Sequence, residues 1–354
     1  MSDRLLSNQI ISIVGTTATG KTALAFQVAQ EIIHQAKAAG VTIISADSRQ
    51  VYRGLEVCSG ADVPASWNHT TQFATNGFRH PEFPLFFFGT SVVEPVSEWS
   101  VTHFRQYALP LMAKSFDEGF AVIIVGGTGL YHEHLFSTDP LLDVPPDENL
   151  RRLAGLIPLD ELQEKVATQA ADAWAEMNDS DKYNPRRLVR ALEKAAFYSD
   201  APQSQPQKNY TDFPLHLQHV HHATLGIIDS PEHLEKKISQ RVNERLQHGA
   251  VEEVTTLIGK YDDVLWKLPA FSSAGCKEVR MYIEGKVDID QLKELWVRRE
   301  VQYAKRQLTW WKTHQFACSS SEFANKTKQW IDLGTEQPTN WQTAVTQSCI
   351  LGLC

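Results

Sequence analysis

The segment Gly15-Thr16-Thr17-Ala18-Thr19-Gly20-Lys21-Thr22 has the spacing of a phosphate-binding loop, two glycines around four residues, then Lys and a hydroxyl. Such a turn aims backbone N–H groups into one concavity at a helix N-terminus, where the helix dipole favours an anion. Lys21 adds a point charge for the terminal phosphate, and the Thr22 hydroxyl is placed to ligate Mg²⁺. The implied chemistry is binding of a di- or triphosphate. Hydrolysing P-loop enzymes usually carry an apolar strand ending in an Asp that holds the metal's water shell. Here the apolar run Ala121-Val122-Ile123-Ile124-Val125 ends on Gly126-Gly127-Thr128-Gly129, with no acid. The acid follows a different run, in Ser45-Ala46-Asp47-Ser48-Arg49-Gln50. Asp47 near the phosphates suits taking a proton from an incoming nucleophile, although a loop or cap role also fits its type. The pattern points to group transfer to an acceptor rather than to an ATP-driven motor.

These residues need a frame that brings distant segments together. Ile10 to Val14, Val41 to Ser45 and Ala121 to Val125 are near-continuous apolar runs, as strands of a parallel sheet covered on both faces require. A helix from Thr22 to about Ala38 follows the first. Phe83 to Val93 is a further β-like stretch broken by Gly and Pro, with Phe86-Phe87-Phe88 as core rather than a stacking platform. In a doubly wound sheet the C-terminal strand ends face one crevice, which puts Asp47 beside the loop. The expected fold is α/β, a P-loop NTPase-like parallel sheet core with an inserted helical domain.

The boundaries follow composition. Residues 1–139 form the first part of the core and 140–210 a helical insertion, opened by Val144-Pro145-Pro146 and closed by a proline-rich stretch, 201–206. Residues 211–320 return to the core with a strand at His222 to Ile228 and helices at Pro231–His248 and Asp288–His314. Residues 321–354 are an unassigned tail.

The chain has 354 residues, 42% apolar and 21% charged, inside the globular range, with net charge −8. That charge gives no general attraction to nucleic acid, yet a local basic stripe still grips phosphates. Five cysteines without a CxxC pair indicate neither a disulfide framework nor a zinc knuckle. No apolar run is long enough to span a bilayer, and the start does not read as a signal peptide, so a cytoplasmic enzyme with no membrane partner is expected. His216, His219, His221 and His222 read as a polar entry to a strand rather than a metal site, since strand alternation splits them. Trp310-Trp311 reads first as helix packing.

Six ordered segments carry a resemblance. They are the P-loop, Asp47-Ser48-Arg49-Gln50-Val51-Tyr52-Arg53-Gly54, Val125 to Tyr131, Pro185 to Glu193, the Arg241…Gly249 helix with Gly275-Cys276-Lys277-Glu278, and Tyr303 to Trp310. Together they resemble the tRNA dimethylallyltransferase (isopentenyltransferase) family over about residues 9–314. The resemblance implies that residues 15–22 hold the diphosphate of dimethylallyl diphosphate, with Mg²⁺ on Thr22. Asp47 would accept the proton of adenine N6 at adenosine 37 in the anticodon loop. Thr17 would bond the bridging or leaving oxygen, and Lys21 and Arg241 would neutralise the departing diphosphate. Asp47, Ser48, Arg49, Gln50, Thr128, Arg151, Arg186, Arg187, Arg190, Gly275, Cys276 and Lys277 would meet the tRNA, and a monomer is expected.

Helix geometry supports part of this on its own terms. Arg187, Arg190 and Lys194 share a face, and so do Arg298, Lys305 and Lys312, two basic stripes able to bracket a phosphate backbone. A stripe alone also fits a solvated helix face. The chain departs from the family pattern at Thr16 (usually Pro), Cys276 (usually Tyr) and Arg245 (often Met), the last a second candidate phosphate ligand. Two other readings stay open: an adenylate isopentenyltransferase acting on free AMP, ADP or ATP, and a P-loop small-molecule kinase with Asp47 as base.

Overall fold

A computed structural model describes residues 9–61, 63–136, 142, 144–199, 220–262, 266, 268–313, 328–332 and 346. Among them, eight strands form one sheet: β1 (Gln9–Gly15), β2 (Gly40–Ser45), β3 (Asn68–Thr70), β4 (Gly77–Arg79), β5 (Leu85–Phe88), β6 (Phe120–Gly126), β7 (His221–Ile228) and β8 (Lys328–Asp332). Their order is β3-β4-β5-β2-β6-β1-β7-β8. The strands from β5 to β8 in that order run parallel, and every residue of β1, β2 and β6 is buried. Continuous apolar sequence is what a strand covered on both faces needs. β3 and β4 add an antiparallel edge that the sequence did not announce.

The chain divides into two compact units, residues 1–136 with 214–354, and residues 137–213. In the first, α1 (Lys21–His34) starts at the glycine closing the P-loop and buries Leu24, Ala25, Val28, Ala29 and Ile32 against the sheet. Helices α2 (Glu56–Ser59), α3 (Val101–Asp117) and α4 (Gly129–Leu135) follow. A second apolar cluster lies among α2, α10 (Pro231–Gln247), α11 (Ala250–Tyr261), α12 (Cys276–Ile283) and α13 (Ile289–Thr313), with Leu234, Ile238 and Val242 four apart on one face of α10. Pro231 at the first position and the Ser230 hydroxyl accepting from His233 N start α10 cleanly.

The second unit holds α5 (Glu148–Ala154), α6 (Leu159–Gln169), α7 (Ala171–Glu176), α8 (Asp179–Lys182) and α9 (Pro185–Ser199). Leu162 and Val166 pack on Leu188, Val189, Ala191 and Leu192, an i, i+3, i+4 stripe on α9. The proline-rich stretch at 201–206, His216, His219 and Cys318, Cys349 and Cys354 lie outside the described residues, as does nearly all of the tail. His222 lies on β7, where its Nε2 stands 2.9 Å from Ser12 Oγ inside the sheet. Phe86, Phe87 and Phe88 are core. No described helix is long and apolar enough to cross a membrane.

Candidate active site

β1, β6 and β2 are neighbours in the sheet and parallel, so the loops at their C-terminal ends meet. Those loops carry the P-loop, Gly127-Thr128 and Asp47. Backbone bonds fasten two of them: Ala46 N donates to Val125 O at 2.7 Å, and Thr128 N to Ala46 O at 3.2 Å. Thr128 Oγ1 accepts from Ser48 N at 3.1 Å. Asp47 is held by Arg49 N, which donates to its Oδ1 at 2.8 Å.

At Gly15 the P-loop passes so close to β7 that a Cβ would stand 2.1 Å from Ile227 O, which explains the first glycine sterically. The Thr16 carbonyl accepts from Thr19 Oγ1 at 2.9 Å and from Lys21 Nζ. Thr16 and Thr19 are buried, so their side chains build the loop, whereas Thr17, Ala18, Gly20, Lys21 and Thr22 face a cavity of about 420 Å³. Asp47, Arg49, Gln50, Arg241, Arg245, Tyr303 and Gln307 line the same cavity. Arg241 Nη1 donates to Thr17 Oγ1 at 3.4 Å.

Gln307, absent from the sequence-derived candidates, ties the site together. Thr17 N donates to its Oε1 at 2.8 Å, and its Nε2 donates to Gly127 O at 3.1 Å. One amide on α13 thus fixes the P-loop to the β6 loop. Tyr303, one turn earlier, hydrogen-bonds Thr128 and Gln307, and burial, followed by the Asp47 carboxylate, raises its phenol above the ordinary tyrosine range. It keeps its proton near neutrality. His132 of α4, bonded to the Gly126 backbone, is pushed down to about 3 mainly by burial and brings no charge to the site.

Among the expected RNA contacts, Cys276 is corrected and the others differ in where they lie. Cys276 has no exposed surface and lies 3.5 Å from Cys58 Sγ, so its thiol packs inside the protein and does not meet RNA. Buried Gly275 turns at φ +99° in front of α12, while Lys277 is exposed. Gln50 directs its amide inward, accepting from Ser45 Oγ at 3.0 Å and donating to Gly60 O at 2.8 Å. Arg49 Nη1 donates to Pro269 O at 2.7 Å.

In the second unit, Arg151 Nε and Arg190 Nη1 both donate to the buried carboxylate of Glu193, at 2.8 and 2.9 Å, and Arg190 also reaches Val144 O. Burial alone would raise the Glu193 carboxyl; the two guanidiniums and Asp147 N–H outweigh it and hold it low. Arg151 and Arg190 therefore answer a buried acid within their own unit. Arg187 is exposed and pairs with Asp181, and Arg186 extends into solvent without an ion pair among the described residues. On α13 the stripe of Arg298, Lys305 and Lys312 is exposed, with Arg306 beside it over the Tyr303 ring. Arg299 is not part of it, since it pairs with Glu278. Trp311 is packed inside, Trp310 half-buried beside it.

Comparison with known proteins places this geometry in context. A family model described as IPP transferase matches residues 85–314, and one described as isopentenyl transferase matches residues 8–74. The chain is 32% identical over 314 residues to a tRNA dimethylallyltransferase of Exiguobacterium sp., covering 87% of this chain and 88% of the relative. It is 30% identical over 319 residues to one of Synechococcus sp., covering 88% and 78%. Among solved structures, a tRNA isopentenylpyrophosphate transferase from Bacillus halodurans superposes with TM-score 0.62 at 23% identity, over 98% of this chain and 97% of that one. A eukaryotic dimethylallyltransferase acting on tRNA gives TM-score 0.69 at 20% identity, over 97% and 78%. These two likenesses establish the fold.

Proposed function

The chain belongs to the IPP transferase family, and from that premise we propose that it moves a dimethylallyl group from dimethylallyl diphosphate to N6 of adenosine 37 in tRNA. Its class is that of a tRNA-modifying prenyltransferase. The observation that carries the finer reading is the sharing of one cavity by the loop residues Thr17 to Thr22, the cations Lys21 and Arg241, and the carboxylate of Asp47.

In this reading the diphosphate rests on the P-loop. Adenine N6 attacks the allylic carbon, the carbon–oxygen bond to the diphosphate breaks, and Asp47 takes the proton from the nitrogen. Because the allylic carbon spreads positive charge over its double bond, the main task left to the protein is stabilising the leaving oxygens. Lys21, Arg241 and the Thr17 hydroxyl face the place where that charge develops. The Thr22 hydroxyl opens on the cavity with no hydrogen bond to protein among the described residues. With diphosphate oxygens it would offer an oxygen donor set that suits Mg²⁺, and the ion would supply further charge neutralisation. Tyr303, protonated and beside Asp47, donates or accepts within the same network but holds no net charge.

An RNA acceptor, rather than a free nucleotide, is supported by exposed cations that a mononucleotide would not need: Arg298, Lys305, Lys312 and Lys277 in one unit, Arg186 and Arg187 in the other. An adenosine in a loop must leave its stack to enter the cavity. The test is a competition with Mg²⁺ and dimethylallyl diphosphate, offering unmodified tRNA together with AMP, ADP and ATP. Mass spectrometry of nuclease digests should find the prenyl mass on adenosine 37 of the tRNA alone. Prenylated free nucleotide, or no transfer to tRNA, would refute the reading.

A further inference from the structure

A second cavity, of about 690 Å³, opens at the antiparallel edge of the sheet, between the β3–β4 hairpin and the chain at residues 53–56 and 90–91. The reaction above uses none of its residues. Phe78 on β4 packs its ring against His69 on β3, with the ring centres 4.8 Å apart. His69 and Asn76 are exposed, and neither side chain has a hydrogen-bond partner among the described residues. Thr90, just beyond β5, lines the cavity at 2% exposure, and its hydroxyl has no partner either. A buried hydroxyl left unpaired is uncommon in folded proteins and marks a place where something else completes the bonding.

The charges on this wall cancel. Arg53 Nε donates to Ser91 O at 3.0 Å, and Glu56 Oε1 accepts from Ser91 Oγ at 2.6 Å. One guanidinium with one carboxylate gives no excess of positive charge for a polyphosphate, in contrast to the first cavity with Lys21 and Arg241. A ring to stack on, an amide that both donates and accepts, and nearby hydroxyls are instead the groups that read an unstacked nucleobase.

The second cavity is also built onto the loop that carries Asp47. Asp47, Arg49 and Gln50 line the diphosphate cavity, and Arg53 lines the second. Three backbone bonds lace that loop to the chain after β5: Ser91 N donates to Gln50 O at 2.9 Å, Val92 N to Val51 O at 2.7 Å, and Arg53 N to Val93 O at 2.8 Å. Six residues separate Asp47 from Arg53, which limits their Cα atoms to about 20–22 Å apart. A single strand whose adenosine sits at Asp47 covers that span within a few nucleotides.

We propose that this second cavity receives one further base of the RNA acceptor, a loop nucleotide near the reacting adenosine, stacked on His69 and bonded at its edge by Asn76. The proposal rests on the reading that the acceptor is RNA. A free nucleotide carries the same chemistry, and the test separates the two sources.

The full-length parent and the double variant His69→Ala/Asn76→Ala are compared in binding an unmodified anticodon stem-loop RNA, followed by fluorescence anisotropy. Pyrophosphate with Mg²⁺ is titrated into both as a control. Neither residue lines the diphosphate cavity, so pyrophosphate affinity should stay within about twofold, while stem-loop affinity falls about tenfold. The stem-loop is then made with one abasic residue at each loop position in turn, adenosine 37 excepted. In the parent one such RNA should bind about tenfold more weakly. In the variant the loss of that same base should cost less than about twofold, because its partners are already gone. Should the double variant lose pyrophosphate affinity, Asn76→Ala alone, which keeps the His69–Phe78 contact, repeats the series. Losses that simply add at every position, or a variant that binds the stem-loop as the parent does, would overturn the proposal. AMP, GMP, CMP and UMP are titrated alongside. A mononucleotide bound by the parent and not by the variant, with equal stem-loop affinities, would make the cavity a free-nucleotide site and overturn its assignment to RNA. A parent that binds pyrophosphate but not the stem-loop would instead reject the RNA acceptor itself.

Discussion

Gln307→Leu should loosen the P-loop from the far end of the chain. The Gln307 amide is 6% exposed and makes two bonds to main chain, from Thr17 N and to Gly127 O. Leucine fills nearly the same volume but leaves both backbone groups unpaired, at about 1–3 kcal/mol for each buried group. Thr17 is only half-buried, so water recovers part of its share, and the added apolar surface offsets about 1 kcal/mol more. The expected net loss is about 2–3 kcal/mol, which for a unit of this size lowers Tm by about 4–10 °C. Because one of the lost bonds is on the loop itself, pyrophosphate must then order the loop as it binds, and its Kd should rise about tenfold. Scanning calorimetry gives the first quantity and isothermal titration with Mg²⁺ and pyrophosphate the second. A variant whose Tm stays within about 1 °C of the parent, with unchanged pyrophosphate affinity, would show that the amide does not tether the loop.

Asp47→Asn keeps an oxygen for Arg49 N, so Tm should hold, while single-turnover prenyl transfer falls about 10²-fold or more; near-parental transfer would remove Asp47 as the base. Lys305→Ala, at an exposed stripe position, should reduce the slope of log affinity against log salt for tRNA by about 1 without lowering Tm. Arg190→Ala should do the opposite, costing stability because the buried Glu193 carboxylate loses one of its two cations; an unchanged Tm would contradict that assignment. Burial raises the Glu253 carboxyl to about 7, against two backbone donors, Val57 and Cys58, that pull it down. A raised folded-state value means that its contribution is complete below the unfolded carboxylate range and is lost as pH rises towards 7. The stability advantage of the parent over Glu253→Gln should therefore shrink between pH 5 and pH 8, and a pH-independent difference in Tm would disprove the shift.

The parts legible in the sequence are those whose physics is local. β1, β2 and β6 are buried on both faces, and their apolar runs say so directly. β3, at the sheet edge, is largely exposed and β4 beside it only partly so, and at three residues each they carry no periodic signal. α3 holds Pro110 in its middle, a residue that ordinarily argues against a helix interior. β8 joins the sheet from a polar tail through backbone bonds to β7, and backbone bonds leave no trace in side-chain pattern. The P-loop, Asp47 and Thr128 stand at strand ends whose order the α/β pattern implies. Gln307 and Glu300 touch partners 290 and 55 residues away, and a single Gln or Glu on an amphipathic helix reads as surface. The insertion arginines show the reverse difficulty: their type suggests phosphate, but Glu193, three residues beyond Arg190, is buried and claims them.

The bond from Thr17 to Gln307 also bears on the order in which the protein becomes competent during synthesis. The P-loop emerges from the ribosome among the first residues, with its glycines and Lys21, while α13, which holds it in place, is made some 290 residues later. At typical elongation rates of about 5–20 residues per second, the nascent chain carries an untethered loop for roughly 15–60 seconds. The same helix brings Glu300, the partner of Arg245, and Tyr303 into the cavity, so both arrive with the tether. A chain interrupted before α13 therefore has the loop and Asp47 but lacks the α13 side chains that complete the cavity wall.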